Sequence, residues 1–472
     1  MNLPNLTIPP QVHPPQINAA IVGSPTAGSV RARAQPRFAT FAAAAPVALC
    51  FIFPIVKLKG VVYLYDLATI AAIAIVGFRP IRNARLHHFM FAWWLLVAGM
   101  VFGFTSAWSR AEMTYRIAGY SGQFLLGLVF CRSFIHGALS RRIDIQLFAR
   151  LVALSGLIAA TMGVLQFVLL QLNPGLADQL YRGYLDLAGH AQDEYEQIYL
   201  YMWRVTGTTR VVGTWTVTTT YGGMMALACG WLLYTSWHQI QRLAMFGWNC
   251  IAVLATLSRH AWIVCFVGLF ALLWRAKRAT QFAMYLCVGA AILVALVVAV
   301  SRLAGNDASI SGTSFFEQLL VRTNRTLEEN VEDGSFQARY VAGTLRFVLY
   351  SVRDPMILLV GFGIQTESGL ADQSGPTDLM YGYVSNGWLL IWRNCGICGF
   401  VGLVLLHAGL LRVGGRNFIG PVLIAAMIIA SDNYPVHVPS AFFLLSIFTT
   451  FGWAKALMDR ESAPPMLAAP VH

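Results

Sequence analysis

Apolar runs recur along the chain from residue 39 to residue 455, separated mostly by short polar connections. The runs predict twelve membrane spans, at 39–56, 61–78, 89–106, 117–135, 147–171, 214–233, 242–257, 260–274, 282–301, 386–411, 417–434 and 438–455. Runs near 20 residues match the length of a helix that crosses the hydrocarbon core. In lipid, only helices and closed barrels satisfy their own backbone polar groups. The alternating, turn-punctuated pattern of a membrane barrel is absent. The fold class is therefore all-α, a polytopic membrane protein. It divides into a proline-rich tail over 1–38, read as disordered and not as a cleavable signal; nine spans over 39–301; a polar loop over 302–385; three spans over 386–457; and a second tail over 458–472. Two connections are long, 172–213 and 302–385.

Composition agrees: 57% of residues are hydrophobic and 11% charged, against about 25% charged in soluble domains. The net charge of +12 carries topology more than ligand chemistry. Arg79, Arg82, Arg85, Arg132, Arg141, Arg142, Arg242, Arg275, Lys277, Arg278, Arg412 and Arg416 occupy alternate connections, and both tails share that set. Positive charge prefers the cytoplasmic side. Both termini are thereby expected in the cytoplasm and both long loops outside, in the periplasm of a bacterial inner membrane. The basic residues are scattered over short loops and form no stripe, which excludes a nucleic-acid reading.

The late loop holds six arginines and ten carboxylates between Ser301 and Asn386. Within it, 336–353 predicts an amphipathic helix: Phe336, Tyr340, Leu345 and Val348 follow helical spacing, while Arg339, Arg346 and Arg353 recur every seven residues on another face. Asp354-Pro355 ends it. The run after it closes on Gly361-Phe362-Gly363, is too short to span, and suits a re-entrant or interfacial segment. Of the eight cysteines, Cys50, Cys229, Cys250, Cys265 and Cys287 fall inside spans, and Cys395 and Cys398 lack a second pair; all read as small packing residues. Tyr63, Tyr65, Trp108, Tyr115, Trp215 and Trp388 at outer span ends read mostly as an aromatic belt.

Three arginines from distant segments are expected at the outer surface: Arg210 before the sixth span, Arg259 in the tight Ser258-Arg259-His260 turn, and Arg339. An arginine at the bilayer centre costs about 2.5–3.5 kcal/mol, so it is usually paired or functional. Its planar fork grips phosphate oxygens bidentately. Singly, each reads equally well as a snorkelling residue or half of an ion pair. Together they point to an anion with an apolar tail, a lipid phosphate or pyrophosphate. Arg393, inside the tenth span, and Asp432 near the end of the eleventh read as an ion pair; Asp66 and Arg116 are further outer-leaflet candidates of that kind.

These residues, with Gly213-Thr214, Pro355, Gly361-Phe362-Gly363, Ser385-Asn386-Gly387-Trp388-Leu389, Gly396 and Gly399, resemble the O-antigen ligase and polysaccharide polymerase superfamily over about residues 200–400. The resemblance implies glycosyl transfer outside the cytoplasm from an undecaprenyl-pyrophosphate-linked oligosaccharide to an acceptor hydroxyl, inverting, with no metal and no cofactor. It implies that Arg210, Arg259, Arg339 and Arg346 bind the donor pyrophosphate. It also implies the lipid bilayer, a flippase and a chain-length regulator as partners. One departure matters: ligases of the family carry His-Asn where this chain has Ser385-Asn386. Serine is no general base by itself near pH 7. His260, Asp378, Asp372 and Glu367 are the substitutes, and the change favours a polymerase over a ligase or a protein-glycosylating relative. A transporter or flippase fits the span count and the Arg393–Asp432 pair. It predicts internal repeats and broken helices in matching halves.

Overall fold

The computed structural model describes residues 27–59, 62–78, 86–109, 115–188, 211–215, 218–276, 348, 352, 355–361, 363, 386–431 and 438–461. The helices are α1 (Ala27–Ile52), α2 (Leu64–Val76), α3 (Leu86–Ser109), α4 (Tyr115–Leu139), α5 (Ile145–Leu172), α6 (Pro174–Leu187) and α7 (Thr218–Trp231). They continue with α8 (Gln239–Ala255), α9 (Arg259–Ala276), α10 (Met356–Val360), α11 (Gly387–Gly414), α12 (Ile419–Ser431) and α13 (Pro439–Glu461). A small hairpin, β1 (Lys57–Lys59) with β2 (Val62–Tyr63), joins α1 to α2. The protein is an all-α bundle in which five described stretches are long and apolar enough to cross a membrane: Leu86–Ser109, Ala118–Leu139, Ile145–Leu172, Gly387–Ala430 and Pro439–Glu461. Every expected span but one falls on a helix; that one, 282–301, lies outside the described residues. α1 starts at Ala27, inside the segment expected to be a tail, because the Ala- and Arg-rich stretch 27–35 extends the apolar helix backward.

Large apolar side chains remain exposed on single helix faces. Leu154, Ile158, Met162 and Leu165 form such a stripe on α5, and Ile263, Phe266 and Phe270 another on α9. Apolar stripes of this kind suit contact with lipid. Inside, two packing styles divide the bundle. α5, α7 and α13 meet through rings: Trp231 lies 5.1 Å from Phe451 and 5.3 Å from Phe448, and Phe148 lies 5.7 Å from Phe451. α3 and α11 meet through backbone. Gly99 and Gly103, four apart on α3, leave no room for a methyl group against Cys395, Gly399 and the Asn394 carbonyl, and Gly402 leaves none against Ala92 and Leu96. Without a hydrophobic drive between helices in lipid, such close approach supplies the dispersion that holds them. Indole N–H groups tie further pairs: Trp93 donates to Leu128 O at 2.9 Å, and Trp453 to Leu406 O at 2.8 Å.

α11 is broken at Gly396, where φ is 61° and ψ is −169°. The gap is filled by α10 and its Gly361–Gly363 tail: the Gly363 N–H donates to Asn394 O at 2.9 Å, and Trp392 Nε1 donates to Leu358 O at 3.0 Å. Gly361 and Gly363 have φ of 87° and 93°, conformations open to glycine alone at low cost. The expected short apolar segment thus exists as a five-residue helix wedged into a broken one.

Several described arginines gather at one end. Arg142 Nη1 donates to Val76 O at 2.7 Å, Arg150 Nη2 to Ser236 Oγ at 2.7 Å, and Arg460 Nη2 to Arg412 O at 2.9 Å. Arg132 lies over Phe78, Trp93 and Trp94. At the opposite end lie the hairpin, α6, the strap 211–215 and the turn before α9.

Candidate functional site

The opposite end is built around a strap, Val211–Trp215, that dips into the bundle just after Arg210. Gln166, in the apolar body of α5, accepts the N–H groups of Val212 (3.0 Å) and Gly213 (2.8 Å) on its single Oε1. Thr214 Oγ1 donates to Phe51 O at 2.9 Å. From above, α6 adds two phenol bonds: Tyr181 to Trp215 O at 2.8 Å and Tyr184 to Thr214 O at 2.9 Å. Burial pushes the Tyr184 hydroxyl above the usual phenol range, so it stays a donor at physiological pH. Gly213 has φ of 55° and packs on the ring of Tyr221, whose hydroxyl donates to Ala159 O at 3.0 Å. A side chain at 213 would meet that ring.

α6 itself was expected to be loop. Asn173 accepts the Leu176 N–H at 3.1 Å, Pro174 occupies the first helical position, and Ala177, Tyr181, Leu185 and Ala188 form its buried stripe. The signal was present as an apolar pattern at i, i+4, i+8 and i+11, too short to read as a span.

The strap reaches the second arginine-bearing segment through one backbone bond. Val211 N–H donates to Ala255 O at 3.3 Å, at the end of α8. The turn that follows is tight: Leu257 has φ of 53°, the Thr256 hydroxyl donates to Val253 O at 2.6 Å, and Ser258 N–H donates to Thr256 Oγ1 at 3.2 Å. A left-handed leucine is costly and is held only where its surroundings over-determine it. α9 then opens at Arg259, so the first N–H groups of an 18-residue helix, and the positive end of its dipole, face this corner. Ser258, 6% exposed, stands at the helix start with its hydroxyl unbonded to any protein group. Gln166 Nε2, Trp215 Nε1 and Thr220 Oγ1, on neighbouring segments, are likewise buried without a protein partner. Buried polar groups are nearly always satisfied, and a cluster of exceptions asks for an explanation.

The expected site residues divide as follows. The segments bearing Arg210 and Arg259 are brought together through their neighbours Val211 and Ala255; Arg210 itself, Arg339, Arg346, Asp378 and Ser385 lie outside the described residues, as do Asp372, Glu367 and Asp432. Arg259 opens α9, and His260 beside it is half-buried. Asn386 is a helix cap: its Oδ1 accepts the Trp388 N–H at 2.9 Å, which fixes where α11 begins. Arg393 is 8% exposed, well inside α11. Asp66 turns out to be architectural, its Oδ2 accepting the Tyr63 N–H and Gln123 Nε2, both at 2.8 Å. Tyr65 and Trp215 are buried and not belt residues, because the hairpin and the strap fold over them. Trp108, at 65% exposed, fits the belt. Residues that sequence reasoning missed are Gln166, Tyr181 and Tyr184; a lone glutamine in an apolar run was the available signal for the first.

No family model matches the chain, and no curated protein matches it.

Proposed function

We propose that this protein is a polysaccharide polymerase of the bacterial inner membrane. It transfers undecaprenyl-pyrophosphate-linked glycan to the acceptor hydroxyl of another lipid-linked repeat unit at the periplasmic face. In this reading twelve spans carry both termini on the cytoplasmic side, at the basic end of the bundle, and the strap end faces the periplasm. The observation that carries the reading is the Val211–Ala255 bond, which joins the strap after Arg210 to the turn before Arg259. A helix N-terminus, an unbonded serine hydroxyl and two arginine-bearing segments in one corner suit a pyrophosphate. Binding the leaving pyrophosphate more tightly as its charge develops would stabilise the transition state, and this requires no metal. The Arg339–Arg346 helix completes the grip in this proposal. His260 or Asp378 serves as the base in place of the histidine that Ser385 replaces, and Asn386 orders the start of α11.

The test is direct. Membranes supplied with lipid-linked repeat units should yield long polymer, and Arg210→Ala or Arg259→Ala should abolish it at unchanged protein level. Normal polymer from either variant overturns the proposal. Transfer to lipid A core in the same assay would instead assign a ligase. The break at Gly396 favours a second reading, a carrier, since carriers bind substrate at broken helices. Here, however, backbone from Leu359 to Gly361 closes on the break. Gradient-driven uptake of repeat units into proteoliposomes would revive that reading.

A further inference from the structure

Cys229 on α7, Cys250 on α8 and Cys265 on α9 stand 21 and 15 residues apart in sequence, with no motif to connect them. In the bundle the three sulfurs lie within 4.8 Å of one another, and Cys229 Sγ is 3.8 Å from Cys265 Sγ. Each thiol comes from a different helix, so the cluster is a property of packing three helices and not of one local turn. Cys229 is 1% exposed and Cys265 7%, with Cys250 half-buried. Asn249 adjoins Cys229; it is 1% exposed and neither polar atom of its amide meets the geometry of a hydrogen bond. Single buried cysteines pack as small hydrophobes, but packing does not require three thiols from three helices to converge on one point.

We propose that these three cysteines form a binding site for one soft monovalent metal ion, copper(I) in class, that ties α7, α8 and α9 together. Three observations select the ligand. Thiol sulfur is a soft donor and discriminates against calcium, magnesium and manganese. A trigonal ion with metal–sulfur bonds of about 2.3 Å sets its sulfurs about 4.0 Å apart, close to the 3.8 Å of Cys229–Cys265 and inside the 4.8 Å that bounds the cluster. Ligand number decides between copper(I) and zinc. The ion binds the three sulfurs as thiolates and releases their three protons to solvent. Structural zinc takes four ligands, and the cluster offers three. The site is separate from sugar transfer. Cys265 sits six residues along α9 from Arg259, about 9 Å at 1.5 Å per residue, so the ion would brace the helix whose start forms the strap-end corner.

The experiment uses the full chain in detergent, reduced and stripped of metal under anaerobic conditions, then titrated with copper(I) against bicinchoninate. One equivalent per chain should be withheld from the chelator, and X-ray absorption should show three sulfurs near 2.3 Å. Cys229→Ser, Cys250→Ser and Cys265→Ser should each lose that equivalent, while Cys50→Ser and Cys131→Ser, buried elsewhere, keep it. Melting of the metal-free variants checks folding; should a variant fail to fold, the absorption spectrum of the unmodified chain decides alone. Copper(I) surrendered entirely to the chelator overturns the proposal. So does a shell of fewer than three sulfurs, a preference for zinc, or a Cys229–Cys265 disulfide in the protein as isolated.

Discussion

The two ends of the bundle hold their segments with different chemistry. At the basic end guanidinium groups do the holding: Arg142 caps α2, Arg460 caps α11, Arg150 reaches the loop after α7, and Arg132 stacks on three rings. The strap itself, at the other end, is tied without charge: one glutamine, two tyrosines, a threonine and backbone. Cationic caps on helix C-termini answer the dipole and cost little at an exposed edge. Neutral ties position a segment without consuming charge. Where the segments carrying Arg210 and Arg259 meet, the described ties are thus neutral, an arrangement that suits the anionic ligand proposed above.

Substitutions can break or sharpen this contrast. The largest expected effect is on activity: Arg259→Ala should lower polymer formation at least about 100-fold, whereas Arg142→Ala at the basic end should leave it within a few-fold, measured in the same membranes. Next comes Gln166→Leu, which strands the N–H groups of Val212 and Gly213. Each buried unsatisfied donor costs about 1–3 kcal/mol, so the melting temperature in detergent should fall clearly and protease should cut near the strap. Tyr184→Phe removes one bond of the strap, about 1 kcal/mol, and should lower the melting temperature slightly with protease resistance intact. Smallest is Arg460→Ala, where loss of an exposed cap should cost about 0.3–1 kcal/mol. Equal losses of polymer from Arg142→Ala and Arg259→Ala would erase the distinction between the ends.

Much of the bundle could be read from the chain because lipid imposes a length: runs near 20 apolar residues found α3, α4, α5, α11 and α13. α6 escaped because a half-apolar helix of 14 residues looks like a loop when length is the criterion. The grouping of Arg132, Arg142 and Arg412 toward one end agrees with the alternation of basic connections along the chain. The strap end was legible only in its arginines. Gln166 and the three thiols act through contacts between helices distant in sequence, and no spacing encodes such contacts.

One consequence follows from the plug at Gly396. Gly363 is bonded to Asn394, and the chain returns to the same helix at Asn386, eight residues or about 12 Å earlier along its axis. The described residues on either side of 364–385 are therefore both fixed on α11. Doubling the length of such an excursion adds only about 0.6 kcal/mol of closure entropy. Insertions between Gly363 and Asn386 should consequently be tolerated with the helices beneath left undisturbed.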